Sequence, residues 1–87
     1  MKYKVGNYVR IRKDLKEERY GGFLFNIKIS KMNRWLGKTM RITGVTGGGY
    51  DLVGTDYMLT WTDEMIERKA TPEEIEKYEQ EMIEREI

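Results

Sequence analysis

The sequence predicts a small α+β protein that is mainly β, with short strands and a helix at its C-terminal end. Three observations predict this class: apolar and charged residues alternate over short segments, glycine clusters separate those segments, and a helix-capping pattern starts at Thr71. A chain of 87 residues has room for one modest core. We expect residues 1–69 to form one domain, and residues 70–87 to form a helix that packs on it or binds a partner.

The N-terminal part of the chain has the pattern of a half-buried strand. In residues 8–12 apolar and charged side chains alternate, so we expect Val9 and Ile11 to point into the core. The intervening Arg10 and Arg12 are then expected on the exposed face.

The next segment predicts a loop followed by a helix. Residues 13–22 are polar and end in two glycines, which indicates a long exposed loop. Residues 25–36 carry an apolar stripe at helical spacing, and Gly37 is placed to end such a helix. A strand through 23–25 followed by a shorter helix is the alternative. The stripe consists of Phe25, Ile29, Met32 and Leu36.

The middle of the chain predicts further short strands that complete a β core. Alternating apolar residues indicate the strands, and a run of three glycines indicates a hairpin turn between two of them. The strands are expected at 38–45, 50–53, 57–61 and 66–68, with the glycine turn at 46–49 and a single turn capped by Thr62 at 62–65. The expected core contains Val9, Ile11, Ile42, Leu52 and Leu59.

The C-terminal segment carries a strong local helix signal. Thr71 suits the N-cap, Pro72 the first helical position, and Glu74 completes a capping box. Glutamates fill most of the helix outside a narrow apolar seam, which should dock on the domain or pair with the same seam of a second chain. The seam consists of Ile75, Tyr78, Met82 and Ile83. Of these, Ile75 and Met82 are expected to be buried, and the pairing surface would be formed by Ile75, Tyr78 and Met82.

The charge is strongly bipolar along the chain, although the net charge is +1. Residues 1–41 carry twelve Lys or Arg and three acids, a net of +9, whereas residues 42–87 carry four bases and twelve acids, a net of −8. Whether the two poles stay apart in space depends on the fold, because opposite charges within about 8–10 Å of each other largely cancel.

The composition excludes most familiar catalytic chemistry. With no Cys and no His, the chain has no thiolate or imidazole metal ligand, no Cys nucleophile and no His base. Its one serine, Ser30, has no base nearby in sequence, and the carboxylates follow no metal-ligand spacing. We therefore expect neither an enzyme nor a cofactor or metal. Since no apolar stretch resembles a membrane span or a signal peptide, we expect a cytoplasmic protein.

The order of several motifs resembles a family of very small proteins encoded by phages and prophages of low-GC Gram-positive bacteria. The motifs are K-V-G-N-Y-V-R-I-R-K-D-L at 4–15, Y-G-G-F at 20–23, a methionine at 32, L-G-K-T-M-R-I-T at 36–43 and Y-M-L-T-W-T-D-E-M at 57–65. The resemblance covers residues 2–66 and implies an SH3-like β-barrel akin to mind-bomb-type repeats. Family members often stop soon after the last motif, so the helix from Thr71 is a departure.

The expected architecture is thus a small SH3-like β-barrel with one inserted helix and an acidic amphipathic C-terminal helix. SH3-like folds generally act by binding, which points to a non-enzymatic protein from a mobile element that inhibits or modulates a protein or ribonucleoprotein of its bacterial host. An anti-CRISPR inhibitor of an RNA-guided nuclease is one concrete form, in which the acidic helix mimics DNA. The expected contact residues of that helix are Glu76, Glu79 and Glu84.

The alternative function is nucleic-acid binding by the basic half of the chain. Its cations would hold phosphates, and an aromatic ring would stack on a base. A variant has the same basic face contact an acidic protein or the guide RNA. The candidate residues are Arg10, Arg12, Lys28, Lys31, Arg34, Trp35 and Arg41.

Overall fold

The structure, a computed structural model, describes residues 2–27, 31–55 and 59–86, with side chains up to residue 83 in the last segment. It contains antiparallel strands, two short 3₁₀ turns and an α-helix. The strands are β1 (Tyr8–Ile11), β2 (Arg19–Tyr20), β3 (Phe23–Leu24), β4 (Thr39–Thr46), β5 (Gly49–Leu52) and β6 (Ile66–Lys69). The 3₁₀ turns span Met32–Trp35 and Asp63–Met65, and the helix α1 spans Pro72–Glu86.

A four-stranded sheet with the order β5-β4-β1-β6 forms the body of the protein. The long strand β4 pairs with β1 through its first half and with β5 through its second half, and the register shifts between Ile42 and Gly44. The α+β, mainly β class is therefore confirmed. The five predicted core residues are all buried: Val9, Ile11, Ile42, Leu52 and Leu59.

The predicted closed barrel does not appear among the described residues. β5 and β6 lie at opposite ends of the sheet and do not pair with each other. On the β5 side, Tyr50 and Trp61 exchange two backbone hydrogen bonds of 2.6 and 3.1 Å, an isolated bridge where a fourth strand was expected at 57–61. Residues 57 and 58 of that expected strand lie outside the described residues.

The predicted helix over 25–36 does not form in the described residues of that range, 25–27 and 31–36, and Ile29 of its apolar stripe lies outside them. Phe25 follows β3 in an extended segment, where its N–H donates to the carbonyl of Glu18 at 2.9 Å, and a 3₁₀ turn begins at Met32. Both side chains are buried, so the apolar spacing reflects two separate positions in the core. The alternative of a strand before a shorter helix is closer to the observed β3 and 3₁₀ turn.

Aromatic rings fill the core beside this segment. Trp61 is fully buried and meets the edges of Phe25 and Trp35 at centroid distances of 6.2 and 6.0 Å. Each such pair contributes about 0.5–1.5 kcal/mol beyond the burial of its area. The first 3₁₀ turn therefore packs Trp35 against the buried Trp61 at the edge of the core.

The loop at 13–22 is less exposed than expected. It contributes the buried Leu15 and the strand β2, which pairs with β3. The single turn predicted at 62–65 is the second 3₁₀ turn, but the Thr62 hydroxyl donates to the carbonyl of Tyr20 at 3.1 Å and does not cap it.

Helix α1 begins with a reciprocal capping box. The N–H of Glu74 donates to Thr71 Oγ1 at 3.2 Å, and the N–H of Thr71 donates to Glu74 Oε1 at 2.8 Å. The helix lies near β1 and β4, and the Tyr78 ring meets the edge of Tyr8 at 5.6 Å. The seam residues Ile75 and Met82, expected to be buried, are half-buried.

Candidate binding surfaces

Glu74 fastens α1 to the sheet. Arg10 on β1 and Arg68 on β6 are register partners, so two guanidinium groups lie side by side on this face. Glu74 accepts from both, from Arg68 at 2.6 and 3.2 Å and from Arg10 in a still closer contact. One carboxylate thus bridges two neighbouring cations and fixes the start of the helix.

The protonation of Glu74 reflects this environment. The hydrogen bonds from Arg68, from the Thr71 N–H and from Arg10 hold its pKa far below the ordinary value of 4.5. Glu74 raises the pKa of Arg68 in return. The carboxylate is consequently charged at any physiological pH, and the attachment of α1 is ionic.

Arg10 and Arg12 do not form the free basic face expected from the sequence. The Arg10 side chain keeps 21% of its exposure and is paired with Glu74. Arg12 keeps 32%, forms a bidentate pair with Asp14 at 2.9 Å, and donates to the Glu64 carbonyl at 2.8 Å. The Arg10–Glu74 pair forms because the fold brings the first turn of α1 to β1, a long-range contact that local sequence patterns do not report, whereas the Arg12–Asp14 pair lies within three consecutive residues.

The remaining predicted basic residues are placed differently. Lys31 and Arg34 are exposed at the first 3₁₀ turn, and the Arg34 guanidinium stacks over the half-buried Trp35 ring at 5.7 Å. Arg41 is half-buried on β4, opposite Tyr8. Lys28 lies outside the described residues. The structure therefore splits the predicted basic face into a neutralised part on β1 and an exposed part at the 3₁₀ turn.

The outer face of α1 is acidic and exposed. Glu73 and Glu76 are exposed, and Glu79 is exposed while accepting a 3.4 Å hydrogen bond from the Tyr8 hydroxyl. Glu81 is exposed at the edge of a neighbouring cleft. Glu84 belongs to the helix, but its side chain lies beyond those described. We call Glu73, Glu76 and Glu79 the acidic face.

A cleft of about 530 Å³ separates the second half of α1 from the sheet. The helix is attached to the sheet at its first turn, and the cleft extends beyond that attachment. Its walls combine apolar and charged groups, and the sheet side contributes Trp35 and Lys38. Lys77 and Glu81 face it from the helix. The apolar walls come from Trp35, Met40, Val53, Tyr78 and Met82.

The structure offers no support for a metal site or a membrane span within its described segments. In residues 2–27, 31–55 and 59–86, no three acidic side chains come together as metal ligands. The carboxylate of Asp63 accepts a hydrogen bond from the hydroxyl of the buried Tyr50. No helix in the described part of the chain is long and apolar enough to cross a bilayer.

No protein-family model, curated protein or solved structure matches this chain.

Proposed function

We propose that this protein is a non-enzymatic, SH3-like binding protein of a phage or mobile element, which inhibits or modulates a protein or ribonucleoprotein of its bacterial host. The working surface is the acidic face of α1. An anti-CRISPR inhibitor of an RNA-guided nuclease is the concrete form we favour, and it operates in the host cytoplasm.

The observation that supports this proposal is the attachment of α1 to the sheet through Glu74. Glu74 is paired with Arg10 and Arg68, whereas Glu73, Glu76 and Glu79 are exposed and form no ion pair among the described residues. A fixed helix with a row of exposed carboxylates presents a preorganised negative surface. Such a surface is complementary to a basic groove that normally holds nucleic acid, and it accelerates association with that groove.

The sheet topology agrees with the SH3-like part of the proposal. The first strand, β1, pairs with the last strand, β6, and a 3₁₀ turn directly precedes β6. This arrangement brings the two ends of the domain together, while the edge strands β5 and β6 stay unpaired with each other in the described part of the sheet. The motif resemblance over residues 2–66 supports the same fold and the mobile-element origin.

The alternative of nucleic-acid binding through the whole basic half is less favoured. Two of its cations, Arg10 and Arg12, are already held by carboxylates. Pairing of Ile75, Tyr78 and Met82 with a second chain stays a prediction, and in the structure this half-buried seam faces its own sheet.

The test is capture from a nuclease-treated lysate of a Gram-positive host that carries a CRISPR system. The wild type is compared with Glu76→Lys/Glu79→Lys and with a control of equal charge change, Glu17→Lys/Glu64→Lys, whose glutamates are exposed away from α1. We expect a discrete protein to be retained by the wild type and the control and lost by the acidic-face variant. Equal retention by all three would refute the role of the acidic face.

A further inference from the structure

The longest stretch of one charge sign in the chain surrounds the first 3₁₀ turn. From Arg19 to Tyr50 the sequence contains six Lys or Arg and no acid. The structure keeps part of this charge together at the turn. Lys31 directly precedes the turn and its carbonyl accepts the N–H of Arg34 at 3.2 Å, so these two exposed residues are close neighbours.

Lys13 extends the same edge. A Cβ built on Gly37 would lie 2.9 Å from Lys13 Cγ, so the lysine stem crosses the chain directly after the turn. Gly37 permits this crossing, and its φ of +71° is one that other residues rarely adopt. With the exposed Lys38 beside it, the cationic edge comprises Lys13, Lys31, Arg34 and Lys38.

These four cations are not neutralised within the described part of the chain. None forms an ion pair there, although the protein has fifteen acids and pairs Arg10, Arg12 and Arg68 with them. Lys31 also has the left-handed φ of +56°, which is uncommon for a side chain of this type. Concentrated, solvated positive charge of this kind is the electrostatic footprint of phosphate binding.

The cationic edge continues into the cleft under α1. Trp35 lies in the wall and also supports Arg34, while Lys38 lines the cleft from the sheet side. The cleft is about 530 Å³ and presents Trp35 and Tyr78 rings, so it offers a flat base both space and aromatic faces. Lys77 adds a further cation on the helix side.

We propose that this edge and cleft form a binding site for single-stranded nucleic acid. The phosphates follow Lys13, Lys31 and Arg34, and an unstacked base enters the cleft beside Trp35. A duplex does not fit this arrangement, because its bases are stacked and cannot enter. The acidic face of α1 repels phosphates and so confines the strand to the side of the 3₁₀ turn. This site is independent of the acidic face proposed above for a protein partner.

The test measures fluorescence anisotropy of a labelled oligothymidylate of about ten nucleotides, a length within the usual range for such sites. The variant Lys31→Gln/Arg34→Gln/Lys38→Gln is compared with Lys2→Gln/Lys4→Gln/Lys16→Gln, which removes three exposed cations elsewhere. We expect at least a tenfold loss of affinity in the first variant at low salt. The slope of log K against log salt should flatten by about 1.4, since the variant removes two of the three proposed phosphate contacts and each contributes about 0.7 on a single strand.

Two further probes distinguish the parts of the site. An abasic oligonucleotide of the same length should bind the wild type several-fold more weakly, because the cleft is then empty. A similar loss of oligonucleotide affinity is expected from Lys77→Glu. Lys77 is exposed at the cleft, so this substitution leaves the core intact. Equal losses in both triple variants, or no binding at low salt, would overturn the site, and equal affinity for the abasic strand would overturn the role of the cleft. Glu76→Lys/Glu79→Lys should not lower oligonucleotide affinity, so this result is separate from that of the partner capture.

Discussion

Replacement of Tyr50 by Phe tests how the N-terminal segment and the second 3₁₀ turn are joined to the sheet. The Tyr50 ring is fully buried, yet its hydroxyl donates to Asp63 and accepts the N–H of Tyr3 at 3.1 Å. One oxygen atom therefore links β5 to two segments distant in sequence. Phe keeps the ring and removes that atom, so the packing of the core should be unchanged.

The magnitude follows from the two hydrogen bonds. A hydrogen bond to a charged group contributes about 1.5–3 kcal/mol and a neutral one about 0.5–1.5 kcal/mol. Asp63 and Tyr3 are half-exposed and regain water in the variant, so the loss falls in the lower part of the combined range. We expect Tyr50→Phe to reduce the free energy of unfolding by about 2 kcal/mol. For a domain of this size that lowers Tm by about 8–16 °C.

The pH dependence gives this prediction an internal check. Burial, and secondly the hydrogen bond to Asp63, raise the pKa of Tyr50 above its ordinary value of 10.0. Since the unfolded chain releases this proton first, the stabilisation is complete below about pH 10 and is lost as the pH rises toward the folded pKa. Chemical denaturation from pH 7 to 11 should show the difference between wild type and variant shrinking above pH 10. A constant difference, or one under about 0.5 kcal/mol at pH 7, would refute the reasoning.

Three further predictions concern α1 and the turn beside it. Thr71→Ala should destabilise the first turn of α1 by about 1 kcal/mol, seen as faster amide hydrogen exchange there, whereas Thr71→Ser should not. Because the pKa of Glu74 is lowered, its charged form stabilises the folded protein above pH 4.5, and this stabilisation is lost as the pH falls below that value. In urea titrations, the wild type should therefore lose stability in acid more steeply than Glu74→Gln. Gly37→Ala should cost about 1–2 kcal/mol in the same assay because of its positive φ, and an unchanged midpoint would contradict the strained conformation.

The features that the sequence predicted well depend on neighbouring residues. Alternation over 8–12 places Val9 and Ile11 in the core, and the structure buries both because one face of β1 packs inward. The capping box at Thr71 and Glu74 also forms, since its two hydrogen bonds lie within four residues. Such signals need no knowledge of the distant parts of the chain.

The features that the sequence missed depend on contacts between distant segments. The apolar stripe in 25–36 fits a helix, but Phe25 is placed by its contact with the loop at Glu18 and Met32 by a separate turn. Arg10 was predicted to be exposed because its ion-pair partner, Glu74, is distant in sequence. The pairing of β1 with β6 places Arg68 beside Arg10 and brings Glu74 within reach of Arg10. Equally, Lys13 joins the cationic edge through a crossing at Gly37 that no spacing rule contains.

The central claim is that the acidic face of α1 binds a protein. The most direct test is the affinity of the captured partner, purified free of nucleic acid, for wild type and for Glu76→Lys/Glu79→Lys over a series of salt concentrations. We predict that wild-type affinity falls as salt rises, because dissolved ions screen the attraction between the acidic face and a basic groove. The variant should bind at least tenfold more weakly at low salt, because the reversed charges at positions 76 and 79 repel that groove. Affinities that are the same for both proteins and independent of salt would contradict the claim.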